Sequence, residues 1–260
     1  MKIRLFFTLF LIFTSSLVAD TNGIYDIRGS SPQLDANLTS FLDKWRSDTV
    51  TPIQEGNYTN VIVNGNTTQK TVTLTFDDAP DENNTYKLLD ILSSHGVQAA
   101  FFMIAGTMND TNISVVQQTH RDGHLVLNHS FNHPRMSDLN ESAMGSQLDH
   151  AAMRIETITG KYPLLFRPPY GSINPLVVNT INARGMTTVL WSLDSLDWTL
   201  KDPDAVVQNV VSNVRNGDII LMHRNPTSVA SLSSLIEKLI AMDYAFIRLD
   251  TMLGIQAYKQ

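Results

Sequence analysis

From residue 71 onward the chain repeats one pattern, a short run of β-branched and aromatic residues followed by a longer stretch with helical periodicity. Strands that alternate with helices in this way build a parallel sheet whose faces the helices must cover. Seven strands are expected, at 71–76, 99–104, 124–128, 164–167, 187–193, 218–223 and 245–249. Helices are expected between them at 86–95, 113–121, 139–159, 175–184, 203–215 and 228–242. Gly96, Gly123, Gly160, Gly185 and Gly217 stand where several of these helices should stop. Asp138, three residues before Glu141, supplies a start signal for the longest. The fold class is therefore α/β. Seven βα units favour a closed or nearly closed barrel over an open doubly wound sheet, without excluding the sheet. No Gly-rich phosphate loop follows any strand, so nothing marks a dinucleotide site. In barrels the chemistry gathers where strands end and βα loops begin.

With 260 residues, 43% of them hydrophobic and 17% charged, the chain can bury a full core. Its net charge of −6 gives no basic stripe for nucleic acid or an anionic membrane surface, so neither is expected as a partner. Cysteine is absent, which removes disulfides, thiolate metal sites and thiol nucleophiles together. Residues 1–19 read as a signal peptide: Lys2 and Arg4 precede an apolar run at 5–13, and Ala19 ends a short polar-to-small stretch. That run is too short to span a bilayer. A retained anchor or a buried strand is the alternative, since Leu17 is not the small residue preferred three positions before a cut. No second apolar segment reaches spanning length, so the mature chain is expected to carry no membrane span and to be secreted to the exterior or the cell wall.

Residues 20–70 form an N-terminal extension with no sustained strand pattern, ending in an Asn/Thr/Gly-rich stretch at 57–69 that reads as loop. Ser31-Pro32 followed by Leu34, Leu38, Phe41, Leu42 and Trp45 reads as a capped amphipathic helix with proline at its first position. It packs on the main domain or offers a wall-binding surface. The domain carrying the chemistry is expected at 71–260. Asn-x-Ser/Thr acceptors at Asn37, Asn57, Asn66, Asn83, Asn109, Asn112, Asn128 and Asn140 point weakly to a eukaryotic secretory route and glycosylation, with Asn128 too close to the site to carry a glycan.

Five segments carry side chains suited to catalysis. The first strand ends in Thr75-Phe76-Asp77-Asp78-Ala79-Pro80; two adjacent carboxylates repel unless a cation is near or one pKa rises. After the third strand comes His129-Ser130-Phe131-Asn132-His133, two imidazoles that would face the same way on one helical turn. With one carboxylate oxygen, from Asp78 at the same barrel end, they make a two-His-one-carboxylate set that leaves positions open for water and substrate. The fourth strand ends in Phe166-Arg167-Pro168-Pro169-Tyr170-Gly171, where an arginine can hold a carboxylate ionised. The fifth ends in Trp191-Ser192-Leu193-Asp194-Ser195-Leu196-Asp197-Trp198 and the sixth in Leu221-Met222-His223. A histidine beside a carboxylate is poised as a general acid. Taken singly, each segment also has a structural reading as a cap, turn or surface residue. His95, His120, His124 and His150 lack such partners and read as structural or exposed.

In their order and spacing these segments resemble the motifs of the polysaccharide deacetylase family, the group that contains chitin deacetylases, peptidoglycan N-acetylglucosamine deacetylases, chitooligosaccharide deacetylases and acetylxylan esterases. The resemblance covers about 71–253 and leaves the extension outside. It implies a distorted (β/α) barrel of about seven parallel strands. It further implies that Asp78, His129 and His133 hold a divalent metal, zinc in first place with cobalt as the alternative, that Asp77 is the general base, and that Arg167 keeps Asp77 ionised. The Tyr170 backbone N–H would help hold the oxyanion, His223 would protonate the leaving amine with its pKa set by Asp197, and Trp198 and Leu221 would form a recess for the acetyl methyl group. The expected substrate is an N-acetylglucosamine polymer, chitin or chitooligosaccharide before peptidoglycan. A catalytically silent carbohydrate-binding or wall-structural protein on the same fold is the competing reading.

Four positions depart from the family pattern. Ala79 replaces a glycine, Leu125 a glutamate, Leu127 a small residue, and Arg224 follows His223 where aspartate is common. Ala79 would strain the carboxylate loop if its φ were positive. Arg224 would lower the His223 pKa if it lay beside the ring.

Overall fold

The computed structural model describes residues 23–260. The expected signal peptide at 1–19 lies outside the described residues. The chain forms one parallel sheet of nine strands among the described residues. These are β1 (Val61–Ile62), β2 (Thr71–Ala79), β3 (Ala100–Met103), β4 (Leu125–Asn128), β5 (Leu165–Phe166), β6 (Thr187–Val189), β7 (Leu193–Asp194), β8 (Asp218–His223) and β9 (Ala245–Phe246). The order across the sheet is β1-β6-β5-β4-β3-β2-β8-β7, with β9 pairing the start of β2. The fifth expected strand is split: the chain leaves the ladder after Val189 and rejoins it at Leu193.

The sheet is curled but its ladder does not close on itself. Its seam, between β6 and β7, is filled from the N-terminal extension. Thr188 and Leu190 N–H groups donate to Asn60 and Ile62 on one side, while Arg28 exchanges backbone hydrogen bonds with Ser192 and Asp194 on the other. Tyr25 N–H joins the two inserts by donating to Asn64 Oδ1 at 2.9 Å. The stretch at 57–69 is therefore not all loop; a two-residue strand paired only with β6 is too short to show alternation in sequence.

Seven of the helices that accompany the sheet have at least eight residues: α1 (Ala36–Gln54), α2 (Asn84–Ser94), α3 (Ile113–Arg121), α4 (Glu141–Thr159), α5 (Pro175–Asn182), α6 (Pro203–Asn213) and α7 (Pro226–Ala241). The short α8 (Leu249–Leu253) was not expected from the sequence. Two expected caps are displaced. α1 begins after Asp35, whose side chain accepts from Leu38 N–H, rather than at Pro32, and α4 is capped by Asn140 accepting from Ala143 N–H rather than by Asp138. Both caps are of the side-chain type expected, because any Asp or Asn that reaches the third N–H satisfies the same orphan donor. All five stop glycines adopt positive φ, between 65° and 85°.

The core follows the two-residue period of the strands. On β2, Val72, Leu74 and Phe76 face the helices, while Thr73, Thr75 and Asp77 face the interior of the curl. The same rule sends Phe101 and Met103 outward and Ala100 and Phe102 inward on β3. α1 packs on this scaffold through buried Leu42, Val50 and Ile53.

Candidate active site

Two adjacent residues of a regular strand point to opposite faces, so Asp77 and Asp78 could not both enter one cleft without a break. The break is a register shift between Asp77 and Ala79 in the pairing of β2 with β3. Asp78 takes up the irregularity with φ of 69°. The positive φ thus falls on an aspartate, which tolerates it better than alanine does. Ala79 is fully buried without it, so the strain anticipated for that position is absent.

The two histidines do not share a helical turn. After β4 the chain runs through an irregular loop in which Ser130 and His133 carry φ of 69° and 59°. Gln147 Oε1, from α4, accepts the N–H groups of Phe131 and Asn132 at 3.1 and 2.8 Å, and Ser130 Oγ accepts His133 N–H at 2.9 Å. These bonds fix the loop so that the imidazoles converge from opposite ends of it. His133 Nε2 lies 3.1 Å and His129 Nε2 3.6 Å from Asp78 Oδ1.

This group has the marks of a metal site. His129 Nδ1 lies 2.7 Å from the Arg167 carbonyl, to which it donates, leaving the Nε2 lone pair directed toward Asp78. Asp78 Oδ1 is buried and has no hydrogen-bond partner, although His133 Nε2 approaches it to 3.1 Å. One donor atom from each of Asp78, His129 and His133 lies within 4.8 Å of the others. Burial acts to raise the Asp78 carboxyl pKa, but His133, His129 and His223 outweigh it and hold the group well below the usual carboxylate range. Burial is the leading cause that pushes His129 down, toward the neutral imidazole a metal requires.

Asp77 is held from behind. Arg167 is fully buried and donates from Nη1 to Asp77 Oδ1 and Thr75 Oγ1, both at 2.8 Å. Its Nε and Nη2 donate to the carbonyls of Val189 and Leu190 at 3.2 and 2.9 Å, where the backbone departs from the ladder between β6 and β7. The guanidinium also lies 4.1 Å from the centre of the Phe102 ring. One side chain thus ties β5 to β2 and to the seam. Asp77 Oδ2 is left facing His129 Nε2 at 3.7 Å.

Opposite them, His223 Nδ1 donates to Asp197 Oδ1 at 2.7 Å. Asp197 is fixed in turn: its Oδ2 accepts the His223 N–H at 2.6 Å and the Ser228 hydroxyl. Burial lowers the His223 pKa, yet the charge and hydrogen bond of Asp197, joined by Asp77 and Asp78, push it up to about 10. Arg224 does not oppose this. Its Nε donates to the Asp78 carbonyl at 2.7 Å and its Nη1 pairs with Asp81 at 3.1 Å, so it braces the carboxylate loop and points away from the ring.

The cleft measures about 340 Å³ and is lined by Asp77, Asp78, His129, His133, Tyr170, Trp198, Leu221 and His223 among others. Arg167 and Asp197, also singled out from sequence, stand behind this surface rather than in it. Tyr170 takes φ of 60°, and its ring packs edge-on against His133 at 4.8 Å between centroids. Asp194 and Trp191, to which the sequence gives no role, also line the cleft, as do Phe41, Leu42 and Trp45 of α1, which the sequence places on a helix that packs on the main domain or offers a wall-binding surface. Asp194 is buried, its carboxyl pKa raised chiefly by burial, and its carboxylate receives Leu196 N–H and the Trp198 indole. A carboxylate at a strand's last residue was the available signal for it. Leu125 and Leu127, the other two departures, are packed in the inner core. His124, read as structural, accepts the Ala99 N–H at 3.1 Å and is pushed down to about 4 by burial.

The sequence profile described as "Polysaccharide deacetylase" matches residues 64–189. A peptidoglycan-N-acetylglucosamine deacetylase from Bacillus cereus is 35% identical over 192 residues, 71% of this chain and 89% of that protein. Other relatives are longer, and the chain spans only 40–50% of the length of the first it matches. Among solved structures, the chitin deacetylase of Colletotrichum lindemuthianum superposes with a TM-score of 0.71 at 26% identity, covering 76% of this chain and 95% of that one. A family 4 carbohydrate esterase pseudoenzyme from Bacillus anthracis gives the same TM-score at 29% identity, covering 74% and 68%.

Proposed function

Because the chain belongs to the polysaccharide deacetylase family, we propose that it is a metal-dependent hydrolase that removes N-acetyl groups from an N-acetylglucosamine polymer. The observation that carries this reading is the meeting in one cleft of three groups: the Asp77–Arg167 pair, the Asp78–His129–His133 cluster and the His223–Asp197 pair. A divalent ion held by Asp78, His129 and His133, zinc in first place, would supply Lewis acidity toward the acetyl carbonyl and the attacking water. Asp77, aimed by Arg167, takes the proton of that water through Oδ2. The Tyr170 backbone N–H donates to the oxyanion. His223, whose pKa Asp197 raises, gives its proton to the departing amine nitrogen. Trp198 and Leu221 hold the acetyl methyl group away from water.

Two polymers carry the substrate unit. The acceptor sites for glycosylation favour chitin; the names of the bacterial relatives favour the glycan strand of peptidoglycan. Secretion by the segment at 1–19, glycosylation at some acceptor sites and a catalytic unit at 71–260 belong to the same proposal, with the seam inserts from 23–70 completing the sheet. Acetate release from chitooligosaccharides, peptidoglycan strands and acetylxylan, with and without added zinc or cobalt, tests the function and selects the polymer. A silent carbohydrate binder is the second reading, favoured by the likeness to a pseudoenzyme. It requires sugar binding with no acetate released from any of the three.

Replacing His129 or His133 by Ala is expected to abolish stoichiometric metal binding, read by elemental analysis after dialysis. Equal metal content in the wild type and both variants removes the cluster from this role. Asp197→Asn removes the largest of the effects that raise the His223 pKa, so the proton is lost at lower pH. The basic limb of the pH–rate profile should move down by about one unit or more. A bound cation offsets the share contributed by Asp77 and Asp78 but leaves that of Asp197. An unmoved basic limb in Asp197→Asn would show that another group titrates there.

A further inference from the structure

Helix α1 lies outside the residues matched by the family profile, yet Phe41, Leu42 and Trp45 line the cleft. Trp45 seats the helix. Its ring stacks on Trp191 with centroids 5.5 Å apart and planes 22° apart. It also packs on Gly171 so closely that a Cβ there would stand 2.5 Å from Trp45 Cζ2. Gly171 follows Tyr170, so α1 rests directly against the turn that carries the oxyanion donor. One helical turn before Trp45, Phe41 remains 61% exposed, whereas Leu42 beside it is 5% exposed. The helix thus buries a neighbour and leaves an aromatic ring in water at the cleft. The exposed aromatic side chains among the described residues are Phe41, Tyr170 and Trp198, and all three line this one cleft. Aromatic rings gathered around a concave site, rather than scattered, mark a surface that binds something with an apolar face.

We propose that Phe41 is a specificity-determining residue, whose ring is the platform for a sugar unit adjacent to the one that is deacetylated. The occupant is a neutral pyranose of the same polymer, because the platform is continuous with the reaction cleft. The three carboxylates of Asp77, Asp78 and Asp194 in that cleft outnumber the cationic groups Arg135 and His223 that share it, and with the chain's net charge of −6 they disfavour an acidic ligand. α1 thereby turns a site for one sugar into a site for a chain, and longer substrates gain affinity that shorter ones cannot. The proposal rests on the deacetylase reading for the identity of the polymer.

Calorimetric binding of N-acetylglucosamine pentamer and dimer to metal-free protein tests it without turnover. Phe41→Ala is expected to weaken pentamer binding about ten-fold, equivalent to about 1.4 kcal/mol, and dimer binding about two-fold or less. Phe41→Trp should restore the pentamer. Unchanged pentamer affinity in Phe41→Ala, or equal loss for both lengths, overturns the proposal, the second result marking a merely structural ring. Acetate release by the wild type separates the two readings. Length-dependent binding through Phe41 with no acetate from any glycan keeps this subsite and defeats the deacetylase. Failure of the wild type to bind either oligomer overturns the subsite and leaves the deacetylase reading to the acetate-release test.

Discussion

Asp77→Asn is expected to bind metal and fold like the wild type while losing about 10²–10⁴-fold in acetate release, the usual loss when a general base is removed. The amide oxygen can still accept from Arg167 Nη1, which the carboxylate now does at 2.8 Å. What disappears is the basic lone pair of Oδ2, on the side facing His129. The metal ligands are Asp78, His129 and His133, so elemental analysis should show the ion retained. Thermal melting of the same sample separates loss of chemistry from loss of structure. Near-normal turnover in Asp77→Asn would remove Asp77 from the role of base.

Arg167→Ala is expected to lower stability by about 3–5 kcal/mol, because it leaves a buried carboxylate without its cation. The Val189 and Leu190 carbonyls lose their donors at the same time, in the stretch where the sheet is interrupted. A domain of this kind is stable by about 5–15 kcal/mol, so the variant should sit near the threshold of folding. The melting temperature of metal-free protein should fall by roughly 6–20 °C. Arg167→Lys keeps the charge but lacks the planar fork that reaches four acceptors, and should fall between the two. If Arg167→Ala melts within a few degrees of the wild type, Arg167 does not strap the sheet.

The strand ends were legible because each carries a short motif bounded by a periodic strand and a turn. Alternation on β2 alone places Asp77 on the face of Thr73 and Thr75. It does not place Asp78 there; that needs the register shift and a left-handed residue, which no periodicity encodes. The histidine spacing suggested a helical turn, whereas the loop is shaped by Gln147, from a helix that begins eight residues after His133. The contribution of α1 was hidden for a different reason. Its apolar stripe shows that it packs, but Leu42 buried and Phe41 exposed are adjacent residues of the same hydrophobicity, and only the position of Trp191 and Gly171 decides between them. The roles of the seam inserts were equally unreadable, since Arg28 and β1 pair through backbone atoms over one or two residues. Arg224 illustrates the converse. Sequence adjacency to His223 suggests an effect on the acid if Arg224 lies beside the ring, but the chain leaves β8 at His223 and Arg224 turns to the Asp78 carbonyl and Asp81 instead.

In the proposed reaction, water deprotonated by Asp77 cleaves the acetyl amide of a sugar polymer and leaves the polymer backbone whole. Mass spectrometry of an N-acetylglucosamine pentamer incubated in heavy-oxygen water with zinc-loaded protein follows both the label and the chain length. Labelled acetate and an unlabelled pentamer that has lost acetyl groups are expected, with Asp77→Asn giving neither. Label at a new reducing end of a shortened oligomer would overturn this chemistry, as would a pentamer and a peptidoglycan strand both unchanged after prolonged incubation.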